Sequence, residues 1–249
     1  MGRLIIEVIT AFYNDEFLAP FFLNHYSWAD RIHALVDEAT TDSTEEVLSR
    51  YPNVHVEHFR FPDLYEDELF TAQWNRMYAE SEANWVVAAS SDEFVFPPQE
   101  GMHEYLARQL HDVIFVRLFQ VYRHAEEPDL DPSVPVRLQR RHGDPGHVKG
   151  QNREGRKPIV VRTGLRRLKW MPGVHKIWNR HRYDTSPDVL IGAHWHMADP
   201  AFCVQRRLSR CARTSPKDIA KGHGCHNVGV IADEVLEECR SHSHDPRVF

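Results

Sequence analysis

The sequence predicts an α/β fold: a doubly wound, mostly parallel sheet with helices on both faces. Four β-rich apolar runs in the first 96 residues alternate with stretches in which apolar side chains recur at helical spacing. Strands that alternate with helices are typical of a parallel sheet with right-handed crossovers. The chain has 249 residues, 42% of them hydrophobic and 27% charged, which is ordinary for one globular domain with a large core.

The four predicted strands occupy residues 4–10, 31–36, 54–58 and 85–89, and the last of these runs is entirely apolar. Helices are predicted between them at residues 15–26, 43–50 and 67–81. Asp42 and Ser43, at the start of the second of these helices, are residue types that cap helix N-termini. This part of the chain therefore has the order of a βαβ sheet.

The second half is less regular. After Pro97 and Pro98 the pattern predicts a helix at 102–109 and a strong strand at 113–121, followed by loops rich in Pro, Gly and charge at 126–135 and 140–157. Short strands are predicted at 134–139, 158–162 and 175–178, and helices at 201–212 and 232–240. We expect one domain with a boundary between halves near residue 96 and a loose tail at 241–249.

The charge is divided unevenly along the chain. Residues 1–135 carry 8 Lys and Arg against 25 Asp and Glu, whereas residues 136–249 carry 22 against 11. A basic half indicates either an anionic partner, such as a nucleotide diphosphate or a nucleic acid, or attraction between the two halves of one domain. The sequence leaves both interpretations open.

The chain shows the pattern of a cytoplasmic protein. Its four cysteines contain no CxxC pair, so we interpret them as reduced thiols, and neither a signal peptide nor an apolar run of membrane-spanning length is apparent. The sequence does not predict the oligomeric state.

Polar residues follow three of the predicted strands where each one ends. They are found at 10–14, 37–44 and 90–94, and the set is acidic. Because ligands of open parallel sheets bind outside the carboxyl ends of the strands, we expect these segments to form one site.

Three segments carry a resemblance to a known family. Residues 10–18 (TAFYNDEFL) look like the N-terminal signature of family-2-like glycosyltransferases, residues 37–44 (DEATTDST) resemble their D-x-S-x-D-x-T segment, and residues 85–94 (WVVAASSDEF) resemble their metal-binding D-x-D-E-F segment. The order and spacing of the three match over about residues 4–96. The resemblance implies a GT-A-type fold, with residues 1–96 binding the nucleotide and residues 97–240 binding the acceptor.

The family resemblance implies a reaction and a metal. A sugar would pass from a nucleotide-diphosphate donor, most simply a UDP-sugar, to an acceptor hydroxyl with the help of Mn²⁺ or Mg²⁺. Here Ser90 stands where the family has its first Asp, which leaves Asp92 and Glu93 as the anionic groups. We therefore expect Asp92 to bind the metal with help from His194 and His196, which point the same way on a strand.

The remaining site residues follow from the same resemblance. Asp92, Glu93 and His175 are expected to be catalytic, and the general base could be Asp144, Glu154 or His175. The expected donor-binding residues are Thr10, Ala11, Phe12, Asn14, Asp37, Asp42, Gln73, Ser90, Ser91, Arg162 and Lys176.

The acceptor and one alternative function remain open. The acceptor could be a glycan, a small molecule or a hydroxylated base in DNA, the last because of the basic second half. Loss of the first Asp also permits a non-catalytic module that binds a nucleotide-sugar. A nucleotidyltransferase is disfavoured because residues 10–14 lack the glycine-rich phosphate loop that usually follows its first strand.

Overall fold

The computed structural model describes residues 3–144, 156–165, 167–221 and 229–249. Nine strands form one sheet: β1 (Ile6–Phe12), β2 (Arg31–Asp37), β3 (Val54–Phe59), β4 (Trp85–Ala88), β5 (Glu93–Val95), β6 (Val113–Tyr122), β7 (His142–Asp144), β8 (Arg156–Arg162) and β9 (Thr185–Met197). The helices are α1 (Ala19–His25), α2 (Thr44–Ser49), α3 (Asp67–Glu80), α4 (Met102–Ala107), α5 (Val136–Gln139), α6 (Pro200–Arg213), α7 (Pro216–Ala220) and α8 (Ala232–Ser241). Short 3₁₀ helices occupy Tyr26–Trp28, Pro172–Val174 and Arg180–Arg182.

The sheet confirms the predicted α/β class. Its strand order is β3-β2-β1-β4-β8-β6-β9-β5, with β7 paired to β6. The strands β3, β2, β1 and β4 are mutually parallel, so their carboxyl ends share one edge, as predicted. Beyond β4 the sheet is mixed, because β8 is antiparallel to both β4 and β6, whereas β6 and β9 run parallel.

Apolar strands covered on both faces place the core at the middle of the sheet. Every residue of β4 is buried, and in β1 only Ala11 is partly exposed. Such near-continuous apolar runs are expected where helices cover both faces of a parallel sheet. The carboxyl ends of these strands are thus held by a rigid layer.

A bulge in β9 positions two histidines. Gln120 of β6 pairs with His194 and Tyr122 pairs with Met197, so β9 has one residue more than β6 over this stretch. Trp195 lies in the core against Phe94, with the ring centroids 5.0 Å apart. The rings of His194 and His196 stack on the other side, with centroids 5.7 Å apart, as the alternation predicts.

Ion pairs within the chain neutralise much of the uneven charge. Ion pairs join the acidic first half to the basic second half at Asp37–Arg213, Glu66–Lys217, Glu68–Lys221, Asp92–Arg206 and Glu93–Lys157. Attraction between the halves therefore accounts for much of the asymmetry, and the basic half by itself does not indicate a nucleic-acid partner.

Three predictions for the second half are wrong. Residues 136–139 form the short helix α5, where Pro135 immediately precedes the first turn, and not a strand. Residues 175–178 contribute only one isolated bridge, Trp170 to Ile177. The C-terminal tail is not loose, because the ring of Phe249 packs against the rings of Phe96 and Phe119 at centroid distances of 4.9 and 5.4 Å.

Across the described ranges, we find no helix that combines the length and the apolar character needed to cross a membrane.

Candidate functional site

A cavity of about 870 Å³ opens at the carboxyl ends of the parallel strands. Residues that follow β1, β2, β3 and β4 form one wall, and α6 forms the wall opposite. Its size is that of a site for a substantial small molecule. The residues that line it include Ala11, Phe12, Tyr13, Asp15, Asp37, Ser90, Ser91, Asp92, Glu93, Lys157, His175, His194, His196, Arg206, Arg210 and Arg213.

Asp92 lies at the centre of a charged cluster. Its Oδ2 is 2.6 Å from Nη1 of Arg206, 3.3 Å from Nε2 of His194 and 3.9 Å from Nδ1 of His196. Burial by itself would raise the pKa of Asp92, but the Arg206 guanidinium and His194 outweigh it and hold that pKa well below its usual range. Asp92 is therefore a carboxylate at neutral pH.

Arg206 is held from two sides. Besides Asp92, its Nη2 donates to Oγ of Ser91 at 3.1 Å, and its Nε is 3.4 Å from Oδ1 of Asp15. The side chains of Arg206 and Asp92 are only 4% and 3% exposed. Two carboxylates and a hydroxyl thus fix one guanidinium at the end of β4.

The segment after β1 is anchored to that following β4. Ser91 donates its hydroxyl to Oδ2 of Asp15 at 2.7 Å, and the Asp15 backbone N–H donates to Oγ1 of Thr44 at 2.9 Å. The three segments predicted to meet are therefore connected by buried hydrogen bonds, which makes the strand ends a preorganised surface.

Glu93 forms a buried ion pair with Lys157 of β8, and its other carboxylate oxygen accepts a hydrogen bond from the backbone N–H of Ser90 at 3.1 Å. The ion pair and the hydrogen bond hold the turn after β4, so Glu93 stabilises this turn as well as lining the cavity.

Asp37 is paired at the far end of the cavity. Its Oδ2 is 2.6 Å from Nη2 of Arg213, and its Oδ1 accepts from the backbone N–H of Ala39 at 2.9 Å. The guanidinium of Arg213 lies 3.7 Å from the ring centroid of Tyr13. Cationic and aromatic groups stack favourably at this distance.

His196 is a neutral imidazole. Burial lowers its pKa well below the usual value, and repulsion from Arg210 and His194 adds to the effect. His175 follows the 3₁₀ turn at Pro172–Val174, in which Gly173 has a φ of +75°. A Cβ at Gly173 would come within 2.6 Å of Cδ2 of His175, so glycine leaves the space that this imidazole uses.

Three of the predicted donor-binding residues, Arg162, Lys176 and Gln73, do not line the cavity. Arg162 pairs with Trp85 at the start of β4, which is the opposite edge of the sheet, and donates to the carbonyl of Gln109 at 2.6 Å. Lys176 is exposed to solvent, and Gln73 accepts from Nε of Arg76 on α3 at 3.0 Å. The structure therefore does not bring these three to the strand ends, because local sequence carried no information on which edge they would reach.

Of three further predicted residues, Asn14 and Asp42 shape the loops of the site, and Thr10 does not. Thr10 is fully buried within β1. Oδ1 of Asn14 accepts from the backbone N–H of Thr41 at 2.8 Å, and Asp42 accepts from the N–H groups of Thr44 and Glu16 at 3.0 and 2.9 Å. Of the alternative general bases, Glu154 lies outside the described residues, as does the side chain of Asp144.

The residues around Asp92 do not fit the expected divalent ion as they stand. A carboxylate with two imidazoles is a donor set that suits Mn²⁺, but the Arg206 guanidinium already lies on the carboxylate oxygen that both imidazoles face. In the part of the chain that the structure describes, no group of three or more His, Cys, Asp or Glu side chains is arranged to hold a metal ion.

Sequence reasoning missed the basic wall of the cavity. Arg206, Arg210 and Arg213 recur on α6 at spacings of four and three residues, so they share one helix face. The spacing is visible in the sequence, but a charged helix stripe ordinarily faces solvent. Only the fold shows that this stripe faces carboxylates more than 100 residues away in the chain.

No protein-family model matches the chain, and the comparison with curated proteins gives no significant match. Among solved structures it is similar to S. aureus TarS 1–349 in complex with UDP-GlcNAc, at 14% identity and a TM-score of 0.47 over 96% of this chain and 72% of that one. The complex of TarS 1–349 with UDP gives 13% identity and a TM-score of 0.44 over 95% and 71%. It is also similar to 4-diphosphocytidyl-2C-methyl-D-erythritol synthase, at 16% identity and a TM-score of 0.36 over 66% of this chain and 78% of that one. Similarities at this level do not assign a function.

Proposed function

We propose that the protein is a glycosyltransferase that moves a sugar from a nucleotide-diphosphate donor to an acceptor hydroxyl. One observation carries the proposal. The cavity at the carboxyl ends of the parallel strands is lined by Asp37 and Asp92 and, on α6, by Arg206, Arg210 and Arg213. Carboxylates that could accept hydrogen bonds from a nucleoside lie on the wall of strand ends, and cations for a diphosphate lie on the α6 wall opposite, in a position where such sheets bind ligands. The motif resemblance of residues 10–18, 37–44 and 85–94 agrees with it.

The proposed donor lies along the strand ends. Its base would pack on the apolar and aromatic side chains Phe12 and Tyr13, with Asp37 accepting hydrogen bonds from the base or ribose. Its diphosphate would face α6, because guanidinium groups bind phosphate oxygens through charge-assisted hydrogen bonds. Its sugar would then reach the region of Ser90 and His194.

The chemistry requires stabilisation of a leaving group and removal of one proton. The bond between the anomeric carbon and the diphosphate oxygen breaks, and its electron pair remains on the diphosphate. Fixed cations around this oxygen lower the barrier, because the negative charge develops there. The acceptor oxygen forms the new bond to the anomeric carbon, and we propose His175 as the base that takes its proton, since imidazole suits this role near neutral pH.

A thermal-shift screen tests the proposal. The probes are UDP, GDP, CDP, ADP and dTDP, and UDP-GlcNAc, one of the two ligands of the TarS complexes, each with EDTA and with Mn²⁺. A ligand present at 100 times its Kd stabilises the folded state by about 2.7 kcal/mol, so a binder should raise the Tm by several degrees.

A matched pair of variants locates the binding. Asp37→Asn should weaken the preferred nucleotide by about tenfold, as expected for loss of a charged hydrogen-bond acceptor, whereas Asp129→Asn on an exposed loop should leave binding unchanged. If no nucleotide shifts the Tm under either condition, the proposed function is refuted. Binding without any release of sugar to water or an acceptor would indicate instead a non-catalytic module.

A further inference from the structure

We propose that this site holds the donor's diphosphate on the guanidinium of Arg210 and requires no divalent ion, with Arg206 supplying the positive charge beside Asp92. The inference rests on the proposed function and departs from the metal dependence that the motif resemblance implies. Three observations on α6 carry it.

The first observation is that Asp92 already has a cation. Arg206 lies 2.6 Å from its Oδ2 and reaches Asp15 and Ser91 as well, with both charged side chains of the pair almost fully buried. A divalent ion on the same oxygen would have to displace this guanidinium from its shortest contact and would add a second positive charge beside it, which is a costly exchange. The carboxylate is therefore committed to Arg206.

The second observation is that the guanidinium of Arg210 has no directly bonded counter-ion. It lines the cavity one helical turn from Arg206, and nothing in the described ranges forms an ion pair or a hydrogen bond with its guanidinium. Burial lowers the pKa of Arg210 and repulsion from Arg206 lowers it further, and the attraction of Asp92 and Asp15 offsets this only in part. A cation in this position is stabilised by any anion that enters the cavity.

The third observation is the order of the three arginines. Arg213 is held by Asp37 at the end of β2 and Arg206 by Asp92 beyond β4, so Arg210 lies between the two on the same face of α6. From residue 206 to residue 213 the helix rises about 10 Å. The unpaired cation therefore stands between the position proposed for the nucleoside and the position proposed for the sugar, which is where a diphosphate belongs.

Isothermal titration with inorganic pyrophosphate, and with the nucleotide that the thermal-shift screen selects, tests the inference. Both are titrated in EDTA and again with Mn²⁺. We expect both to bind in EDTA, with Mn²⁺ changing the Kd by less than threefold. Arg210→Gln should weaken both by about 10- to 100-fold, as expected for loss of a charge-assisted contact.

Two controls keep the result specific. Arg240→Gln removes the same charge from an exposed position on α8 and should bind like the wild type. Because the guanidinium of Arg210 makes no ion pair or hydrogen bond within the described residues, and its backbone bonds to Thr214 survive the substitution, Arg210→Gln should keep the Tm of the unliganded protein, so weaker binding would not reflect unfolding. A dependence on Mn²⁺, or an unchanged Kd for Arg210→Gln, would overturn the inference.

The outcomes separate the two proposals. If a nucleotide binds only with Mn²⁺, the inference fails and the proposed function stands. If pyrophosphate binds through Arg210 in EDTA while no nucleotide binds, the anion site stands and the proposed function fails.

Discussion

Breaking the buried ion pair between Asp92 and Arg206 should destabilise the folded protein, and a double-mutant cycle measures the coupling energy of the two side chains. The variants are Asp92→Asn, Arg206→Met and the two together. Asparagine keeps the shape of the carboxylate without its charge, and methionine keeps much of the apolar stem of arginine. Each single change leaves a buried charge with fewer partners.

The magnitude follows from the geometry. With the charge centres roughly 4 Å apart and an effective dielectric constant near 20, the attraction is about 4 kcal/mol. Breaking a buried pair by removing one partner costs about 3–5 kcal/mol. We expect values near the lower bound here, since Arg206 retains Asp15 at 3.4 Å and Asp92 retains His194 at 3.3 Å.

Urea unfolding gives the free energy of unfolding of each variant. Each single substitution should lower it by about 3 kcal/mol, and the double variant should lose about 2 kcal/mol less than the sum of the two. The m-value should stay constant if only native-state interactions change. Additive losses, within about 0.5 kcal/mol, would refute the conclusion that Arg206 is the cation on which Asp92 depends.

Two further predictions concern the packing beneath the site. Burial lowers the pKa of His25 from 6.5 to about 4, although the hydrogen bond to the Val95 carbonyl acts in the opposite direction. The unfolded chain therefore takes up a proton at His25 before the folded protein does. The free energy of unfolding should be highest above pH 6.5 and should fall as the pH is lowered towards 4. Between pH 7 and pH 5 this group should account for about 2 kcal/mol of unfolding free energy; a His25→Gln variant with an undiminished slope over that window would contradict this. Gly192→Ala should cost about 2–3 kcal/mol in urea unfolding, because the new Cβ would lie 2.4 Å from the carbonyl oxygen of Phe94. Gly164→Ala, which has open space but a φ of +74°, should cost only about 1 kcal/mol, and equal losses at both glycines would show that close packing is not the cause.

The sequence by itself determined the parallel half of the sheet and the edge at which a site forms. Periodicity is a local property, so β1, β2, β3 and β4 could be predicted within about two residues of their observed bounds. Parallel strands place their carboxyl ends together, which brought Asp37 and Asp92 to one cavity by topology alone. The alternation of His194 and His196 was sufficient to put both on one face of β9, and the family resemblance, not the alternation, suggested that this face meets Asp92.

Only the tertiary structure decided what those carboxylates contact. Arg206 and Arg213 are 114 and 176 residues away from Asp92 and Asp37, and no local pattern encodes pairing over such separations. The same limit explains why Arg162 was expected at the site although it lies at the opposite edge of the sheet. The metal that the motif around Asp92 implies stays a prediction, whereas the guanidinium beside that carboxylate was decided by the packing of α6, because a buried carboxylate is stabilised by a cation that the fold brings next to it.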